Sequence, residues 1–394
     1  MYFNLGARMP PAALSHRAAV TLLAAASLTT GLITGCASDT SKKPSSNQPV
    51  RTGERPATTH GQPLPTASAG AQVGDKPKPI NLSNPVAASE LRERALTQLT
   101  KLAASPNPVV RANAIEAASK VPSRTTDLMR QGLADPNPGV RSVAAVAAGR
   151  ANIASLVPQI RPLVDDSNDF VRLSARFALA KLGEPVDITP IGRAMMESES
   201  VRVRSHAAFL IGELGNRSAI AMLRDATQNR ARGSTKEENR LFDLQAAEAM
   251  VKLGDDQQVQ VIRAALFPSR PEDLEATAMA SQILGQLKDQ GSVDRLIFLS
   301  EYRDPDSKDQ YPAEIRLTVA QALAGMGLRG GEFIADEYAV NPAPLLRAHA
   351  AMVYGAFATP EAAGRLSRML DDSAEEVRVG AVHGILTATE RSRR

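Results

Sequence analysis

Tryptophan is absent from this 394-residue chain, cysteine occurs once, and aromatic residues make up only 4% of it. Each shortage removes a class of explanation. A single thiol allows neither an intrachain disulfide nor a cysteine-based metal cluster. With few rings, a sugar-binding protein lacks stacking platforms and a conventional globular core lacks its usual bulk. The formal net charge is +4 with both signs mixed along the chain. That describes a solvated surface rather than a nucleic-acid footprint. No zinc-protease helix, nucleophile elbow, phosphate loop or dinucleotide fingerprint is present. Alanine is abundant, and an Ala-rich, ring-poor chain suits helices that pack closely on one another.

The first segment reads as an address. Residues 18–33, AAVTLLAAASLTTGLI, form a short apolar run after Arg8, His16 and Arg17. It is too short for a comfortable membrane span and has the layout of a secretory signal. The run ends in Ile33, Thr34, Gly35 and Cys36, which resemble the lipobox of bacterial lipoproteins. The resemblance implies cleavage before Cys36 and lipidation of its thiol, with enough acyl chains for stable anchoring. Ala37 follows where an Asp would favour inner-membrane retention. The expected location is therefore the cell envelope, lipid-anchored, at the periplasmic face of the outer membrane rather than the inner one. Residues 37–85 are rich in Ser, Thr, Pro, Gly and Lys and almost devoid of large apolar side chains. Such a stretch cannot bury enough surface to offset its ordering entropy. As a flexible chain it would span roughly 35–40 Å. The expected domains are a signal peptide over 1–35, a lipidated Cys36 with a disordered linker over 36–85, and a folded region over 86–394.

The folded region repeats itself. Arg111, Arg141, Arg172 and Arg204 recur at spacings of 30, 31 and 32, and Arg316, Arg347 and Arg378 at 31 and 31. Weaker copies centre on Asp243 and Thr277. About nine units with a period near 31 mark a solenoid. In DFVRLSARFALAKLG (169–183), Val171, Ala175, Ala178, Leu179 and Leu182 share one helical face. Four residues after the leading apolar position stands Ala in eight of the nine copies: Ala114, Ala144, Ala175, Ala207, Ala246, Ala280, Ala350 and Ala381, with Val319 the exception. A small side chain there lets neighbouring helices approach closely. Another helix precedes each of these. The turn between the two carries Asp135, Asp166, Ser198, Asn341 or Asp372, six residues before the Arg, where such side chains favour turns and caps.

The pattern LLxDxxxxVRxxAAxALxxLG resembles the HEAT repeat, of the short type also found in phycobilisome-lyase families. The likeness covers residues 88–390 and implies an all-α fold: an alpha-alpha superhelix, a HEAT-like solenoid of about nine helical hairpins after the tether. It also implies a hydrogen-bonded ladder between units, formed by Asp135, Asp166 and Asp372 with Arg141, Arg172 and Arg378, and by Arg204 and Arg347 in the same register. The arginine series is then structural rather than a ligand cradle. His206 and His349 share a register two residues after the unit Arg. They lie four units apart, roughly 35–40 Å at about 8–10 Å per unit, and cannot share an ion. Both read as half-buried spacers, and His383 lacks a partner in sequence.

Units five to seven carry insertions: 228–240, 267–273 and 301–312. Inserts at equivalent turns line up on one edge of a solenoid, where binding often occurs. Tyr302 and Tyr311 stand out, and Tyr and Arg are common contact anchors. Arg230, Arg232, Tyr302, Arg303 and Tyr311 are the candidate partner-binding residues, with tolerated loop length as the plainer reading. The functional expectation is a membrane-anchored, non-catalytic scaffold that binds a protein or peptide through its concave face or inserted edge. No catalytic residue, metal or cofactor is assigned. The alternative is an enzyme or enzyme subunit of the HEAT-like lyase type, acting on a small molecule or tetrapyrrole.

Overall fold

A computed structural model describes residues 77–304 and 306–392. The signal-like segment, Cys36 and most of the linker lie outside the described residues. Eighteen α-helices pair into nine hairpins. The first helices are α1 (Pro85–Leu102), α3 (Pro122–Leu133), α5 (Val157–Ile160), α7 (Thr189–Glu197), α9 (Ile220–Gln228), α11 (Val259–Ala264), α13 (Val293–Glu301), α15 (Glu332–Tyr338) and α17 (Pro360–Met369). The second helices are α2 (Pro108–Ala118), α4 (Pro138–Arg150), α6 (Asp169–Lys181), α8 (Val201–Leu214), α10 (Lys236–Lys252), α12 (Leu274–Leu287), α14 (Ala313–Gly325), α16 (Pro344–Phe357) and α18 (Glu375–Arg391). Several first helices are short and flanked by 3-10 turns, as on both sides of α5.

Local sequence sets where each second helix starts. Asn107, Asn137 and Asn168 cap α2, α4 and α6, each accepting from the backbone N–H two residues on. Ser200 caps α8. Pro108, Pro138 and Pro344 occupy first helical positions, where a missing N–H costs nothing. The Asp six residues before the Arg is not itself the cap. Asp135, Asp166 and Asp372 instead accept from the N–H of Asn137, Asn168 and Ala374, tightening the turn ahead of the helix.

These aspartates also join units. Arg141 donates from Nη1 to the carbonyls of Asp135 and Pro136 in its own turn, at 2.8 and 3.1 Å. From Nε and Nη2 it makes a forked pair with Asp166 of the next unit, at 2.9 and 3.0 Å. Arg111 grips Asp135 and Arg347 grips Asp372 in the same way. Burial opposes ionisation of Asp166, but Arg141, the Asn168 N–H and Arg172 together hold its carboxyl below the usual range. Arg172 faces Ser198 where the next carboxylate would be, and it turns to Asp169 and its own turn carbonyls. Arg204 reaches the carbonyl of Asn229, and Arg378 bonds back to Asp372 O, Ser373 O and Glu375.

All eight recurrent alanines and Val319 are fully buried. A second close-approach position follows. Gly149, Gly212, Gly285 and Gly355 each stand eight residues after their unit's reference position. A Cβ on the first three would lie 2.8, 2.9 and 2.7 Å from the Cα of Ala178, Ala249 and Ala322 in the next second helix. His206 and His349 are buried rather than half-exposed. Ser142, Ser174 and His206 form a hydrogen-bonded row across three units, at 2.8 and 2.9 Å. His349 meets Gln321 at 3.2 Å. Burial pushes the two imidazoles down to about 3 and about 4.

The stack does not end in free faces. Each second helix packs on the next, and α18 packs on α1 and α2. One hydrophobic cluster runs from Leu82, Leu91 and Ala114 to Leu366, Val377 and Ile385. Arg94 of α1 bonds to Ser367 and Asp371, and Ser105 bonds to Glu375. Thus the ninth unit sits on the first, and the nine hairpins form a closed circuit. Arg391 of α18 turns onto the C-terminal carbonyls of α14 and α16. The last residues of the segment read as linker, 78–84, lie along α17, where the Ile80 N–H donates to Pro360 O at 2.9 Å.

Candidate interaction surface

The three insertions fall between the first and second helices of units five, six and seven. Each has its own internal order. In unit five, Ala231 is buried and Thr235 with Glu238 forms a capping box at the start of α10. Arg230 is held by Asp243 at 2.6 and 3.0 Å, within its own unit. Arg232 is exposed. In unit six, buried Asp273 accepts from the Ser269 and Arg270 N–H groups at 3.1 Å each, and Arg240 of unit five pairs with it. Burial opposes ionisation of Asp273, but the Ser269 bonds, Arg240 and the Arg270 N–H hold its carboxyl low. Arg240 therefore continues the ladder, and Asp243, the position aligned by spacing, does not. A shallow cleft of ≈ 90 Å³ lies here, lined by Lys236, Arg240, Arg270, Glu272 and Glu275 among others.

The third insertion carries the aromatic residues. Arg303 and Gln310 pair across it, and Asp304 accepts from the N–H of Asp306 and Ser307 at 2.9 Å each. Lys308 takes the left-handed conformation that closes the turn. Tyr302 lies between Phe298 and Tyr311, its ring tilted against both, with centroids 5.2 and 5.5 Å away. Arg295 of α13 is the hub. Its guanidinium lies 4.2 Å from the Phe267 centroid and 4.5 Å from that of Phe298. Its Nε donates to Leu266 O at 2.9 Å, and it also hydrogen-bonds Tyr311. Burial lowers the pKa of Arg295 and raises that of Tyr311.

The cluster faces water. Phe267 is 60% exposed and Phe298 41%. Val261 and Ile297, on the first helices of units six and seven, are similarly exposed, and Phe267 follows the first of these helices by three residues. Four of the fourteen aromatic residues, from nine Phe and five Tyr, thus gather on one outer surface. Tyr302, Tyr311 and Arg303 belong to it; Arg230 and Arg232 sit two units earlier. Residue-by-residue reading of the inserts missed Phe267, Arg295 and Phe298. For Arg295 and Phe298 a signal was present: an Arg three residues before a Phe places both on one face of a helix.

A family model for HEAT repeats matches residues 126–195, which span units two to four. The match is confined to those units, and the described residues as a whole form an all-α, HEAT-like superhelix. Among solved structures, the helical stack is similar to human deoxyhypusine hydroxylase in complex with glycerol, at 17% identity and a TM-score of 0.34, covering 69% of this chain and 98% of that one. It is also similar to an engineered protein, at 17% identity and a TM-score of 0.29, covering 77% and 94%. No curated protein matches the chain. Among the described residues, no helix is long and apolar enough to cross a membrane.

Proposed function

We propose that this HEAT-like protein is a non-catalytic interaction scaffold, tethered to the envelope through lipidated Cys36, and that its outer aromatic surface on units six and seven contacts a protein partner. The observation that carries this reading is the exposure of Phe267 and Phe298 around Arg295 in a chain so poor in rings. Large, rigid aromatic side chains and Arg concentrate binding energy at interfaces. An exposed apolar patch that a fold pins in place, instead of burying, marks a contact site. The first helices present it outward, so the binding face is the outer one. Closure of the ring turns the concave face inward and leaves the inserted edge as the accessible part of the original expectation. In the small cleft Arg240 and Arg270 are paired with Asp273, which favours a structural role for these three residues. Partner recovery from native envelopes tests the reading. The Phe267→Ala, Phe298→Ala, Tyr302→Ala variant should lose the partner while keeping its melting midpoint. Undiminished recovery would reject this surface, and recovery of a small molecule alone would favour the enzymatic alternative.

A further inference from the structure

The ring closes by a joint unlike its others. Eight junctions are crossed by the chain itself. The ninth, where unit nine meets unit one, is held only by non-covalent contacts. At several junctions a guanidinium–carboxylate fork bridges the turns, as from Arg111 to Asp135, Arg141 to Asp166 and Arg347 to Asp372. At the ninth, the ladder position of unit one is Ser105, and it meets Glu375. Arg378, which would supply the fork, bonds within its own turn. An ion pair between α1 and the ninth unit, Arg94 to Asp371, is 48% and 68% exposed, a setting in which such pairs contribute little.

A strap compensates. Residues 78–84 run across α17 and tie the start of unit one to the ninth unit. Ile80 bonds to Pro360 O, and Leu82 is buried in the cluster that both ends share. The strap lies so close to α17 that a Cβ on Gly364 would collide with the Lys78 carbonyl oxygen and crowd its carbon at 3.1 Å. Gly364 is mid-helix, where Ala would otherwise be preferred. Its presence there fits the close passage of the strap.

We infer that residues 78–84 are a clasp, and that the ring opens at the junction of units nine and one before it opens anywhere else. The terminal faces of an open solenoid are normally polar caps. Here they are apolar and complementary, so opening uncovers α18 and the outer side of α1 together. The segment that carries the expected anchor enters the fold through this clasp, which places the joint where a pull on the tether would act.

Hydrogen exchange on the full-length protein tests this. Amides of α1 and α18 should exchange together, at least tenfold faster than those of α6 and α8. Gly364→Ala should speed α1 and α18 at least another tenfold while leaving α6 and α8 unchanged, although the substitution favours helix. Arg94→Gln, which removes the exposed pair and leaves the strap, should change them less than threefold. Equal protection of α18 and α8 in the wild type would overturn the inference. So would a Gly364→Ala protein with α1 and α18 as slow as, or slower than, the wild type.

Discussion

At the scale of single residues, the account makes charge and volume carry different weights at neighbouring positions. Asp166 is nearly buried, accepts a fork from Arg141 and closes its turn. Asp169, three residues on, pairs with Arg172 in the open, its side chain 56% exposed. Asp166→Ala should cost about 3 kcal/mol, because Arg141 loses its carboxylate in a partly buried setting. Asp169→Ala should cost no more than about 1 kcal/mol. Urea midpoints for the two variants check this, and similar losses would contradict the ladder. Ala175 has no free surface against its neighbours, and Ala175→Phe should overpack the stack by about 1–3 kcal/mol. The buried histidines set a pH dependence. Their folded pKa values, about 3 for His206 and about 4 for His349, lie below the unfolded value near 6.5. Protons then bind the unfolded chain first. The stability is fully present above about pH 6.5 and falls as pH drops from there towards the folded values. At pH 5 each histidine should account for about 2 kcal/mol of that loss. His349→Gln should remove its share, and an unchanged difference in stability between pH 7 and pH 5 would contradict the assignment.

At the scale of elements, the inserts and the first helices divide the work. The inserts are ordered by Asp273, Asp304 and the Thr235–Glu238 box, whereas the exposed rings sit at the start of the 267–273 insert, just past α11, and on the last turns of α13. Replacing 302–312 with a short turn should therefore leave helicity unchanged, as read by circular dichroism, and weaken partner recovery without abolishing it, because Phe267, Arg295 and Phe298 remain. Complete loss would place the contact in the insert alone. The hairpins were legible in the sequence, since period, small residues and turn chemistry all repeat. The ladder was legible where the period is regular. In unit five the insertion moves the register by almost a turn, so spacing pointed to Asp243, and the residue that reaches the next unit is Arg240. Ser198 could be read as a turn residue, but not as the gap that sends Arg172 back to Asp169. The rings of the outer surface were hard to read because Phe267 belongs to unit six and Phe298 to unit seven. They come together only when one unit stacks on another.

For the whole molecule, the closed circuit was not visible in the chain at all. Repeats specify how each unit meets the next, and the small rotation at every junction decides whether the ends meet. No local pattern records that sum. Closure makes the two ends depend on each other. Removing residues 375–394 should cost the amides of α1 at least tenfold in exchange protection, about 1.4 kcal/mol, while α4 to α8 stay protected. In an open stack, α1 would not respond to a change eight units away.

The most direct test of the account is site-specific photocrosslinking in native envelopes, with the reactive residue placed at Phe298 or, for comparison, at Arg130 on the outer face of unit two. The account predicts one dominant protein adduct from position 298 and none from position 130. Equal adducts from both positions, or none from 298, would contradict the assignment of the aromatic surface as the contact face of the scaffold.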